Sequence, residues 1–249
     1  MLVGVGVAAI AAVAAFAARH PAADRPDDLR AGVAAVILYG GLVAACGLGA
    51  TVVNRPANTG YTGLLVAAGA RRDEVAVAAL AARAAAVAAC LAVWGAAGEV
   101  ASVALGAGLD GPLAVHALGS VPTMLLSLGG AALASAAFAP FAAAVIGVSI
   151  HVVAQALVNL KAASDAGVIG DVAEPAIDAA YAFLPRVVVS PMISRLQAAD
   201  QAPLAAPRFE VNDVVVTIPS SGAFSVAWVL VWTAILAALA VVALRRRPL

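Results

Sequence analysis

Charge is scarce in this chain: Asp, Glu, Lys and Arg make up 11% of its 249 residues, whereas 64% are hydrophobic and the mean hydropathy is +1.03. Soluble domains carry roughly a quarter of their residues as charges, so this composition excludes a water-covered globule and points to a membrane. The formal net charge of zero gives no basic footprint for nucleic acid. Aromatic residues are few as well, at 5%, and alanine and glycine stand in their place. Small side chains let helix backbones approach closely, which suits a bundle of membrane helices. Cys46 and Cys90, the two cysteines, both fall within apolar runs. They read as small buried hydrophobes rather than as redox or metal-binding groups.

Catalytic signatures are also missing. There is no H-E-x-x-H, no G-x-S-x-G, no paired-cysteine motif and no close His, Asp and Glu cluster offering three ligands to a metal. A phosphate-binding G-x-x-x-x-G-K-S/T loop is lacking too. The chain therefore reads as a non-enzyme that binds no cofactor of its own, and any ATP that drives it must sit on another polypeptide.

What is there is a series of apolar runs. About 20 apolar residues cross the hydrocarbon core, and six stretches qualify, at about 2–18, 31–53, 75–97, 112–134, 138–160 and 224–244. The expected fold is an all-α polytopic membrane protein, a single transmembrane domain over 1–249. The first stretch is short, but it has no basic leader and no convincing cleavage site after it, so it reads as a span rather than a signal peptide. Arginine placement sets the orientation. Arg55, Arg71, Arg72 and Arg245 to Arg247 share one side, and Arg83 can snorkel towards it. Arg19, Arg25 and Arg30 on the other side are diluted by Asp24, Asp27 and Asp28. Both termini and the 54–74 connection are thereby expected in the cytoplasm, and the 161–222 connection outside.

Residues 57–75, ANTGYTGLLVAAGARRDEV, then form the principal cytoplasmic loop. Asn58 or Thr59 can cap a helix. Tyr61, Leu64, Leu65 and Ala68 recur on one face of it, and Gly69 can end it. Arg71, Arg72, Asp73 and Glu74 follow at the mouth of the third span. The pattern is a short amphipathic helix at the membrane surface joined by an elbow to a transmembrane helix. It serves either as an interfacial connector or as a docking surface.

The order of features resembles the permease subunits of type-2 ABC exporters. Six spans, ThrGlyLeuLeu at 62–65 followed by Arg71 and Arg72, and a last span ending in ALRRRPL carry the likeness. Asn54 or Asn58 stands where such chains often have an acidic residue, and Gly69 where they often have a proline. The resemblance implies that Asn58, Thr59, Gly60, Tyr61, Thr62, Leu64, Leu65, Gly69, Arg71, Arg72, Asp73 and Glu74 belong to a coupling helix and its elbow, docked on an ATP-binding cassette subunit. It further implies ATP and Mg on that partner, a second permease copy or similar chain beside this one, and a bacterial or archaeal plasma membrane.

Polar residues within spans are functional candidates by default. His151, Gln155 and Asn159 recur at i, i+4 and i+8 on the fifth span. They read either as a pathway-lining stripe or as interhelical hydrogen-bonding groups. His116 and Glu99 read as interfacial. In the outer connection, DVAEPAIDAAYAFLP suggests a short helix ending near Pro185, and FEVNDVVVTIP, at 209–219, a strand. Two other readings remain open: a non-transporting membrane anchor or assembly subunit, favoured if the 161–222 loop holds the partner, and a secondary transporter.

Overall fold

A computed structural model describes residues 1–21, 25–52, 68–106, 111–170, 172–188, 209–211, 214–216, 218 and 221–246. The first helix, α1, is Leu2–Ala17; α2, Arg25–Ala35, continues through one π-helical turn, Val36–Gly40, into α3, Gly41–Ala50. Next come α4, Arg72–Ala104; α5, Pro112–Ala134; α6, Pro140–Asp165; and the short α7, Glu174–Phe183. Strands β1, Phe209–Val211, and β2, Val214–Val216, precede the last helix, α8, Ala223–Arg246. Among the described residues, five helices are long and apolar enough to cross a membrane: Asp28–Ala50, Arg72–Ala104, Pro112–Ala134, Pro140–Asp165 and Ala223–Ala243.

Helix α5 is the axis of the bundle, packed by α3, α4, α6 and α8. Its sequence allows this on every side. Gly111 in the left-handed region (φ 76°) and Pro112 at the first helical position start it. Gly129 to Ala132 then keep its surface low. Glycines on the neighbours complete the fit. A Cβ added at Gly49 of α3 would sit 2.5 Å from the Leu128 carbonyl oxygen, and one at Gly95 of α4 would sit 2.8 Å from the Ala117 Cβ. One at Gly147 of α6 would lie 3.0 Å from both the Ser127 carbonyl oxygen and the Cys46 Sγ. Buried hydroxyls along α5 satisfy themselves on the preceding turn: Ser120 donates to the His116 carbonyl at 2.8 Å and Ser127 to that of Thr123 at 3.2 Å. Cys46 and Cys90 are buried and unbonded to each other, as their apolar context implies.

The helix that contains the expected third span, 75–97, runs past it at both ends as the 33-residue α4, because Glu99 does not end the helix but turns into the bundle. The strand expected over 209–219 is two strands paired antiparallel, Phe209 opposite Val216 and Val211 opposite Val214. Buried Val216 and Ile218 join Leu126, Val158, Val187 and Val229 in one apolar cluster, which seats this hairpin on α5, α6 and α8.

The first stretch forms a shorter apolar helix than the five long ones. At 16 residues, α1 is about 24 Å long, short of the roughly 30 Å hydrocarbon core. The Trp94 ring lies over Gly6, where an added Cβ would come within 2.0 Å of it, and Trp94 Nε1 donates to the Val3 carbonyl at 3.3 Å. Trp94 is two-thirds of the way along α4, so α1 begins there instead of at the Arg72 end. His20 Nδ1 meets Asp28 of α2 beyond its other end.

Close packing at Gly49 predicts an asymmetry with its neighbour Gly47, whose added Cβ meets nothing within 4 Å. Gly49→Ala is expected to lower stability by about 1–3 kcal/mol, read as a lower thermal midpoint in detergent. Gly47→Ala should leave the midpoint unchanged or slightly raised, and equal effects at both positions would contradict the packing.

Candidate functional site

At the Arg72 end, charge gathers on the first turn of α4. Gly69 has φ +95°, a conformation that favours glycine and turns the chain into the elbow. Arg71 is extended (φ −77°, ψ 144°) and caps α4. Its backbone N–H donates to the Glu74 carboxylate at 3.1 Å, and its guanidinium donates to Asp73 Oδ2 at 3.2 Å. Arg245, in the last turn of α8, donates to the same Asp73 oxygen. The acidic pair at the start of α4 and the basic pair Arg245 and Arg246 at the end of α8 each complement a helix dipole. These ion pairs are exposed and screened, so they register the two helix ends more than they stabilise the fold.

Arg83 ties in a third helix. Its Nη1 donates to the Ala79 carbonyl at 3.1 Å and its Nη2 to the Thr51 carbonyl at 3.2 Å. The side chain thus points back towards the Arg72 end, as snorkelling requires, and satisfies a carbonyl just past the C-terminus of α3. Of the residues expected to dock a partner, Gly69, Arg71, Arg72, Asp73 and Glu74 are brought together here. Asn58, Thr59, Gly60, Tyr61, Thr62, Leu64 and Leu65 lie outside the described residues.

The opposite end of the bundle holds groups that the sequence reading placed at the interface or passed over. Glu99 is 5% exposed and His116 is 1% exposed, so both are enclosed by protein. The reason is an unmet need of α5. Gly111 at its N-cap has no side chain to accept the first free N–H groups, and Glu99 Oε1 of α4 accepts them instead, from Leu113 at 2.6 Å and Ala114 at 3.1 Å. His116 Nε2 donates to the Ala34 carbonyl of α2 at 3.4 Å. Glu99 Oε2 and the Ser102 hydroxyl, one turn apart on α4, are buried with no hydrogen-bond partner among the described residues.

Beyond the bundle, Lys161 of α6 pairs with Asp165 and with Asp178 of α7, the latter at 3.1 Å. Trp228 and Trp232 of α8 donate to the Leu184 and Phe183 carbonyls at 3.2 and 3.1 Å. Arg186, in the 161–222 connection, is 3% exposed.

The fifth-span stripe divides. His151 is turned into the bundle at 8% exposure, with no hydrogen-bond partner for Nδ1 among the described residues. Gln155 donates to Asn159 at 3.0 Å, and both are half-buried on the flank of α6. Successive i, i+4 steps rotate about 40° around a helix, enough to carry the last two away from the buried face. His151 therefore faces the bundle, with Gln155 and Asn159 on its flank.

No protein-family model, curated protein or solved structure matches this chain. The class that the fold supports is a helical, multi-pass membrane protein, by the length and apolar composition of its helices.

Because Glu99 supplies the cap that Gly111 cannot, Glu99→Ala is expected to cost about 1–2 kcal/mol. Glu99→Gln, which keeps an acceptor oxygen, should cost less. Thermal midpoints of the purified variants check the order, and a Glu99→Ala midpoint equal to that of the parent would rule out the cap.

Proposed function

We propose that the chain is the permease subunit of an ATP-driven exporter, coupled to a separate ATP-binding cassette subunit and working beside a second permease copy or similar chain in a bacterial or archaeal plasma membrane. The 54–74 connection and the C-terminus are its cytoplasmic parts. The observation that carries the reading is the junction at the start of α4. There Asp73 meets Arg245 of α8, and Arg83 meets Thr51 at the end of α3. Displacement of the elbow would act on three helices at once.

Helix α4 is also built as a lever. Its 33 residues make a rod of about 50 Å, longer than the roughly 30 Å core it has to cross. ATP-driven closure of the partner subunits would push the 57–75 segment, and the rod would tilt against α5 at Gly95. ATP and Mg belong to the partner in this scheme, and this chain contributes the path.

One observation favours a second reading, that of a membrane anchor or assembly subunit. Helix α7 has no buried residue; Val172 just before it and Phe183 at its end are 98% and 71% exposed. A partner held there rather than at the elbow would make the chain a scaffold.

Affinity capture of the detergent-solubilised chain from its native membrane separates the two. The wild type is expected to bring down a polypeptide with a phosphate-binding loop, and Leu64→Asp combined with Leu65→Asp to reduce its recovery at least about tenfold, as for loss of a central apolar anchor. Capture of no ATPase by the wild type would refute the exporter reading.

A further inference from the structure

Arg186 is a buried cation with no counter-ion among the described residues. It lies three residues past the end of α7 and is 3% exposed. Two aromatic rings lie against its guanidinium: the Tyr181 ring centroid is 4.2 Å from Cζ and that of Phe224, in the first turn of α8, 5.5 Å. One nitrogen is used, since Nη1 donates to the Tyr181 carbonyl at 3.2 Å. Nε and Nη2 have no hydrogen-bond partner among the described residues. The carboxylates of Asp165 and Asp178, on the facing helices α6 and α7, are both taken by Lys161.

The two free nitrogens are not a random pair. Nε–H and Nη2–H lie along one edge of the planar guanidinium and point the same way, the fork that grips two oxygens on one carbon or phosphorus. Cation–π contacts offset part of the cost of burial, but they leave this edge unmet. A buried charge without compensation is strongly unfavourable.

The backbone around the fork is held in advance. On one side, Trp228 and Trp232 of α8 bind the Leu184 and Phe183 carbonyls. On the other, the Val188 N–H donates to Thr123 Oγ1 of α5 at 2.8 Å, and Val187 is buried in the apolar cluster beneath the hairpin. A donor pair fixed by three helices before its ligand arrives loses little freedom on binding.

We infer that the Nε and Nη2 edge of Arg186 is a binding site for an oxyanion with two oxygens on one centre, a phosphate or carboxylate group, presented by a lipid headgroup or by a soluble molecule. The tryptophans beside it are the residue type that settles at headgroup depth, so a lipid phosphate is one source. The site stands independently of the exporter reading and is measured without any partner subunit.

The test uses the full chain purified in an uncharged detergent. Sodium phosphate, sodium acetate or dispersed phosphatidylglycerol is titrated against sodium chloride at equal ionic strength, with thermal midpoint and tryptophan fluorescence as readouts. Native mass spectrometry of the untreated protein reports any anion already bound. Wild type is expected to show a saturable shift with at least one probe, or a stoichiometric bound anion, and no such response to chloride. Arg186→Lys, which keeps the charge but loses the fork, should weaken the affinity at least about tenfold, and Arg186→Gln should abolish it. A response to phosphatidylglycerol alone assigns the headgroup; a response to phosphate or acetate assigns a soluble ligand. The site is disproved by the absence of both a shift and a bound anion, or by wild-type affinity in Arg186→Lys, which decides the matter even if Arg186→Gln does not fold.

Discussion

At Gly49, Gly95 and Gly147, three helices bring backbone against α5, and at Gly129 α5 offers the same to α8, with the Leu236 Cβ 3.2 Å from where a side chain would begin. Lipid tails are as apolar as leucine, so helices in a bilayer gain little from hiding apolar surface against one another. Close contact and polar satisfaction have to hold them together. That constraint explains the composition. Alanine and glycine lower the helix surfaces, and the few hydroxyls on the axis, Ser120 and Ser127, spend their donors on their own helix.

With the middle of the bundle fixed by packing, the scarce charges work at its ends. Asp73, Arg83 and Arg245 join the ends of α3, α4 and α8 on one side. On the other side Glu99 completes the first turn of α5, and Lys161 holds α7 to α6. Each of these groups meets a helix terminus, where unpaired backbone groups and the helix dipole make a charge useful. Arg186 differs, since two of its donors meet no partner among the described residues.

The sequence carried the apolar runs well. The fourth, 112–134, coincides with α5 because glycine and proline mark its start. The helix ending near Pro185 appears as α7 for the same kind of local reason. Long-range features were not visible in the same way. Glu99 looked like the end of a span because its use, capping a helix that begins at residue 112, depends on a neighbour in space. The π-helical turn at Val36–Gly40 has no local mark in sequence, as it sets Gly40 against Trp94 and Gly41 against Leu91. The Asn212–Asp213 dipeptide within a β-branched run was a readable hairpin signal that the single-strand reading overlooked. For the elbow, Gly69 and Arg71 to Glu74 were legible as a turn followed by a charged helix start.

The proposed role turns on what the elbow touches in its own membrane. Ala68 and Val172 are exposed at opposite ends of the molecule, and both native cysteines are buried, so Ala68→Cys and Val172→Cys each offer one reactive thiol. Thiol-directed cross-linking in native membranes, followed by sequencing of the adducts, gives the decisive reading. The account predicts that the thiol at 68 captures a polypeptide carrying a phosphate-binding loop. Capture of a partner only from position 172, with no nucleotide-binding polypeptide at 68, would contradict it.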